Sequence, residues 1–205
     1  MKKNFKGSII MPIVTINGQA YDCQAKNNQF RGAKNQWIIQ NAGAPFPASD
    51  ISAFSGLHYY PVDCKYVSAS KITHNNPMKK VDVQTTDGGT IQLYEYGTVT
   101  ADIGGKKYDL KAYQNIDMPE FAHAPGTIFI PFKDETSGPA ISSTFASGRY
   151  LVIKPVSGAK GVILDFNMAT NPFENYNSNY STLQVHNSNR IMAPLTTGER
   201  KYEDR

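Results

Sequence analysis

Lys80-Val-Asp-Val-Gln-Thr-Thr86, Thr90-Ile-Gln-Leu-Tyr-Glu-Tyr-Gly-Thr-Val-Thr-Ala-Asp102 and Lys106-Lys-Tyr-Asp-Leu-Lys-Ala112 are joined by Asp87-Gly88-Gly89 and by a link that contains Gly104-Gly105. Each run is rich in β-branched and aromatic residues, and each break is a glycine turn, so the stretch reads as an antiparallel meander. Side chains alternate along a strand, which puts Tyr94 and Tyr96 on one face and Leu93 on the other. A sheet of this kind must cover one face or curl closed. The expected fold is therefore mainly β: an antiparallel β-barrel or β-sandwich with long loops and little helix.

Working outward, Ile9 to Ile16 is an apolar, β-branched run that meets the hairpin dipeptide Asn17-Gly18, with Gln19 to Cys23 as the return strand. Lys26 to Gln36 is polar and reads as a loop or a short helix, and Pro47 to Phe54 has room for one helical turn. Lys65 to Ile72 and Gly126 to Phe132 read as strands, and Arg149 to Lys154 with Gly161 to Phe166 as a hairpin turning at Pro155 to Gly158. Asn171 to Asn189 is rich in Asn, Ser and Tyr and reads as a long ordered loop. Ile191 to Leu195 is a last short strand, and Glu199 to Arg205 a charged tail. Residues 1–36 are expected to form an N-terminal hairpin and polar extension, and residues 37–205 an all-β domain packed with it as one unit. Asn115 to Pro125, with His123, is the connector where a boundary would fall.

The 205 residues carry 21 Lys and Arg against 17 Asp and Glu, a net charge of +4. The surplus is scattered in pairs such as Lys2-Lys3, Lys79-Lys80 and Lys106-Lys107, with no basic stripe of the kind nucleic acid requires, so no nucleic-acid partner is expected. No segment approaches the roughly 18 continuous apolar residues that span a bilayer, so no transmembrane segment is expected. The N-terminus has no clean cleavage site and carries no clear signal peptide. Cys23 and Cys64 fit no metal or CxxC spacing; two separate thiols are favoured over a disulfide. His58, His74, His123 and His186 are widely spaced and form no metal pattern, so neither metal nor cofactor is expected.

Polar groups concentrate further along: Pro131-Phe-Lys-Asp-Glu-Thr-Ser-Gly138, then Ser147-Gly-Arg-Tyr-Leu151, then Leu164-Asp-Phe-Asn167 with Asn171-Pro172. Upstream stands Phe54-Ser-Gly-Leu-His-Tyr-Tyr-Pro-Val-Asp63, and downstream Leu195-Thr-Thr-Gly-Glu-Arg-Lys-Tyr202. In this order, over roughly residues 37–202, they resemble the bacterial "domain of unknown function 1684" family. The resemblance implies bacterial origin and, for many members, export. It carries no established reaction and transfers no catalytic residue. Members often have a Cys pair after the Asn-Pro step; Phe173 to Leu183 contains none.

The residues themselves suggest three readings. In the first, the protein binds a small polar or anionic ligand: Arg149 supplies charge, Asp165 and Asn167 hydrogen bonds, Thr136 a hydroxyl, and Tyr59, Tyr60 or Tyr150 an apolar wall, with His58 as a further candidate contact. In the second it is a hydrolase, with Asp134 as base, Ser137 or a water as nucleophile, and Asp165 as a further carboxylate. In the third the motif only holds loops together, in a structural or envelope-associated protein, with Arg149 paired to Asp134 or Asp165. Asp165 and Asn167 are expected on one strand face with Phe166 on the other. On the binding reading, Arg149→Ala should remove binding while lowering stability modestly.

Overall fold

The computed structural model describes residues 13–16, 19–114, 126–140, 143–155 and 161–202. The connector with His123, the Asn17-Gly18 and Pro155–Gly158 turns in whole or part, and the end of the tail lie outside them.

Strands β1 (Ile13–Ile16) and β2 (Gln19–Asp22) pair antiparallel as a separate hairpin. The chain then enters helix α1 (Cys23–Gln40), 18 residues long. Asp22 caps it, its carboxylate accepting the Ala25 N–H at 2.9 Å. This is longer than the loop or short helix the sequence suggested, and it runs across position 36. The reason is visible on its buried face, which presents Cys23, Asn27, Lys34 and Ile38. Two of these are polar, so the helix lacks an apolar stripe. A single turn, α2 (Ala48–Ile51), follows.

The main sheet is mostly β3 (Val67–Gln84), β4 (Thr90–Ile103) and β5 (Lys106–Gln114), the meander, extended by β6 (Ile128–Asp134) and β7 (Arg149–Ile153) on one side and β8 (Gly161–Asp165) on the other. It curls into an antiparallel half-barrel. β3 is one strand through Pro77, because the ladder to β4 is interrupted between His74 and Lys79 and the proline needs no ladder bond there. A second irregularity falls at Tyr96, between Glu95 and Gly97. It sends Leu93 into one apolar cluster, with Tyr113, Phe129 and Tyr150, and Val99 and Ala101 into the main core, with Leu110, Ile130, Phe132 and Leu164.

β7 and β8 are not hydrogen-bonded to each other as a hairpin. β7 pairs with β6 and β8 with β3, at opposite ends of the sheet order, and the curl brings them near again. The last strand, β9 (Arg190–Ile191), lies parallel to β6, opposite Lys133 and Asp134. It takes over the flank of β6 beyond the Tyr113–Phe129 pairing with β5. Asn189 fills the join: its amide donates to the Pro131 carbonyl at 2.7 Å and the Lys111 carbonyl at 2.9 Å, and its oxygen accepts the Lys111 N–H at 2.8 Å.

Cys23 and Cys64 form a disulfide with Cα atoms 5.9 Å apart, joining α1 to the segment that leads into β3. This corrects the expectation of separate thiols: the two residues are 41 apart in sequence, and only the fold brings them together. The tail is corrected too, since Glu199 is fully buried and Lys201 nearly so.

Candidate functional site

The signature residues gather at the end of β6, but most are sealed. Arg149 has no exposed surface. Its Nη2 donates to Asp134 Oδ2 at 2.8 Å and to the Leu195 carbonyl at 3.3 Å. Its Nη1 donates to the carbonyls of Thr197 and Glu199, and the guanidinium lies over the Phe132 ring at 5.2 Å. The other oxygen of Asp134 accepts the Thr136 N–H at 2.8 Å, the Thr136 hydroxyl and the Leu195 N–H at 3.2 Å. Gly148 delivers Arg149 into this position. Its φ is +110°, and a Cβ there would stand 2.6 Å from the Phe132 carbonyl oxygen. Arg149 is therefore an internal clamp between β6, β7 and the chain near its C-terminal end, with its charge spent on Asp134 rather than Asp165.

Asp165 belongs to a second closed network. Its Oδ2 accepts Tyr21 OH at 2.9 Å and Asn27 Nδ2 at 2.7 Å, and its Oδ1 accepts the N–H and the amide of Asn167, both at 2.9 Å. β8 ends at Asp165 and Phe166–Met168 form a 3-10 turn, so the alternating-face argument does not apply. Asp165 and Asn167 meet because the carboxylate caps that turn. Asn167 also accepts the Asp63 N–H at 2.8 Å and donates to its carbonyl at 3.0 Å. Burial, and then Asp165, push the Tyr21 phenol well above its ordinary range.

Tyr150 is buried against Phe129, with its hydroxyl bonded to Thr182 and accepting the Leu183 N–H at 3.3 Å. His58 is exposed near the Tyr202 ring, and Tyr60 stacks with Arg200 at 5.7 Å. Ser137 Oγ accepts the Asp134 N–H at 3.3 Å, and the contacts of the described histidines lie elsewhere: His58 with Tyr202, His74 with Tyr96, His186 with Ser188. The structure brings Asp134, Thr136, Ser137 and Arg149 together, with Tyr60, whose pKa burial raises, within electrostatic reach of Arg149 and Asp134; Asp165 and Asn167 form a separate group, and His58 and Tyr150 join neither.

The underside of α1 holds a centre that sequence reasoning missed. Lys34, 2% exposed, donates to Glu199 Oε2 at 2.7 Å and to Tyr176 OH at 2.8 Å, while the Tyr176 hydroxyl donates to the other Glu199 oxygen. Arg31 lies 4.4 Å over the Tyr59 ring. Its Nε and Nη2 and the Tyr59 hydroxyl are enclosed without a hydrogen-bond partner among the described residues. Burial lowers the Arg31 pKa and, together with Glu199, raises that of Tyr59.

One part of the signature is open. Lys133, Glu135 and Ser137, above the Asp134–Arg149 floor, line a cleft of about 230 Å³ completed by Arg190 and Met192. Lys133 and Arg190 are register neighbours across the parallel β6–β9 pair, so their side chains share a face. Neither makes an ion pair among the described residues. Burial and then Arg190 lower the Lys133 pKa, against an opposing pull from Glu174. Sequence reasoning passed over Lys133 inside the motif; only the unforeseen parallel pairing of β9 brings Arg190 beside it. Among the described residues no cluster of His, Cys, Asp and Glu could hold a metal ion, and no helix is long and apolar enough to cross a membrane.

A family model described as "protein of unknown function (DUF1684)" matches residues 52–200. The chain belongs to the DUF1684 family. Among solved structures, it is similar to an uncharacterized protein of Haloarcula marismortui determined by solution NMR. The two share 27% identity with a TM-score of 0.65, over 86% of this chain and 92% of that one. A search of curated proteins returns no match. The DUF1684 match takes in both the sealed floor and the open cleft, and it begins after α1 and α2.

Proposed function

We propose that this DUF1684 protein is a binding module for a small anionic ligand, held in the cleft at the end of β6. The observation that carries this reading is the juxtaposition of Lys133 and Arg190 on one face of a cleft with no carboxylate paired to either among the described residues. Two adjacent cations repel; an oxyanion between them relieves that repulsion and takes hydrogen bonds from both. Ser137 adds a hydroxyl, and the clamped Asp134–Arg149 pair beneath fixes the walls. Charge thus comes from Lys133 and Arg190 in place of Arg149. The hydrolytic alternative has less support, because both oxygens of Asp134 are held internally, Oδ2 by Arg149 and Oδ1 by Thr136 and Leu195.

The test is a thermal-shift screen of wild type and a Lys133→Gln/Arg190→Gln double variant against small carboxylates and phosphates. A ligand at a hundred times its Kd stabilises the folded state by about 2.7 kcal/mol, a rise of about 5–10 °C for a chain this size. The expected result is a shift in wild type that the double variant loses. An equal shift in both proteins, or none in either, would overturn the reading.

A further inference from the structure

We infer that the ligand is an amphipathic monocarboxylate, its acid group in the Lys133–Arg190 cleft and its apolar tail across Met192 in an adjoining compartment; this rests on the reading of the cleft just given. Met192 lines both spaces. It is 64% exposed although Ile191 beside it is buried, so an apolar side chain stands as a ridge between a cationic cleft and a second cavity. That cavity measures about 450 Å³ and is walled by Ile103, Tyr66, Tyr108, Ala193 and Pro194, a size and lining suited to a small organic molecule. The Tyr66 hydroxyl points to the Pro194 carbonyl at 3.4 Å and Thr196 Oγ1 at 3.4 Å, which fixes the loop carrying Met192.

Two lysines also line this cavity, each lying over an aromatic ring: Lys65 over Tyr66 at 4.8 Å, Lys106 over Tyr108 at 5.1 Å. Their stems extend the apolar wall while their ammonium groups stay in water. Lys65 is neutralised by Asp63 at 2.7 Å. The charges of the cleft itself decide the head group. Asp134 and Arg149 cancel, Glu135 lines the cleft beside Lys133 and Arg190, and Glu174 lies close enough to favour the charged form of Lys133. Two cations offset in this way suit a singly charged head group over a dianion.

Chemical-shift titration with acetate, butyrate, hexanoate and octanoate tests this, using wild type, Met192→Ser and Lys133→Gln/Arg190→Gln. Burial of each added methylene should raise affinity by about threefold to fourfold. The steps should flatten in Met192→Ser, and all binding should fall at least tenfold in the double variant. Equal affinity for acetate and octanoate would overturn the tail compartment and leave the anion cleft standing. Octanoate binding that ignores the double variant would show the apolar cavity acting alone, overturning the joined site. No binding by any acid, with the folded state intact, would overturn this inference, and the cleft reading also falls if phosphates fail in the thermal-shift screen.

Discussion

Arg149 and Arg190 both sit on strands bonded to β6, yet one is wholly enclosed and the other faces solvent. Arg149 enters from β7, where Thr197, Glu199 and Leu195 fold over it and Asp134 lies within 2.8 Å. Arg190 enters from β9 on the opposite flank, next to a second cation. The same side chain is a clamp in one place and a candidate ligand-holder in the other. Partner geometry separates the two roles, and residue type does not.

The sharpest way to break this contrast is to remove the enclosed charge. Arg149→Met should lower stability by about 3–5 kcal/mol in urea denaturation, because Asp134 is left buried and unpaired. The modest loss expected from the sequence is thereby revised upward. Asp134→Leu with Arg149→Met should recover much of the loss; if the single variant matches wild type, the clamp is not structural. Lys34→Met, which strands Glu199, belongs to the same class.

Next in size is the disulfide. Reduction, or Cys23→Ser with Cys64→Ser, should cost about 2–4 kcal/mol, read as a lower denaturation midpoint under reductant that the double variant no longer shows. Gly148→Ala should cost about 2 kcal/mol through its positive φ and the close Phe132 carbonyl; an unchanged melting temperature would mean that the approach to Arg149 is not constrained.

A pH titration sharpens the comparison at the hairpin end. Tyr21 has its folded pKa raised by burial and by Asp165, whereas an unfolded tyrosine ionises near about pH 10. Its contribution is therefore whole below that pH and is lost as pH climbs further. Tyr21→Phe should flatten the alkaline fall in stability. The smallest effect belongs to Arg190→Gln, expected within about 0.5 kcal/mol of wild type with anion binding weakened.

Much of the sheet could be read from the chain because its signals are local. Gly88-Gly89 and Gly104-Gly105 mark turns, and the runs between them alternate. The exceptions have physical causes. Lys65 to Ile72 and Lys80 to Thr86 read as separate strands; they are one because Pro77, which cannot donate a ladder bond, falls where the β3–β4 ladder is interrupted between His74 and Lys79. α1 read only as a loop or a short helix because Asn27 and Lys34 occupy buried positions where a helix normally shows aliphatics; Asp22 before Cys23 was the cap signal that marks its start. Glu199 looked like part of a solvated tail because its partner Lys34 is 165 residues away. For the proposed site, the motif leads to the end of β6, where the cleft opens. It could not say which of its charges would be consumed internally, since that depends on backbone carbonyls arriving from residues 195–199.

That same Lys34–Glu199 pair has a consequence for the making of the protein. The chain is synthesised from its N-terminus at about 5–20 residues per second. The 165 residues between the partners therefore correspond to about 8–33 seconds during which the lysine face of α1 has no carboxylate to receive it. Cys64, only 41 residues beyond Cys23, emerges within the first few seconds of that interval. Where thiols can be oxidised, the helix can be tethered to the start of β3 long before its ionic partner exists. Where they cannot, α1 must wait for nearly the whole chain before it has a place to dock.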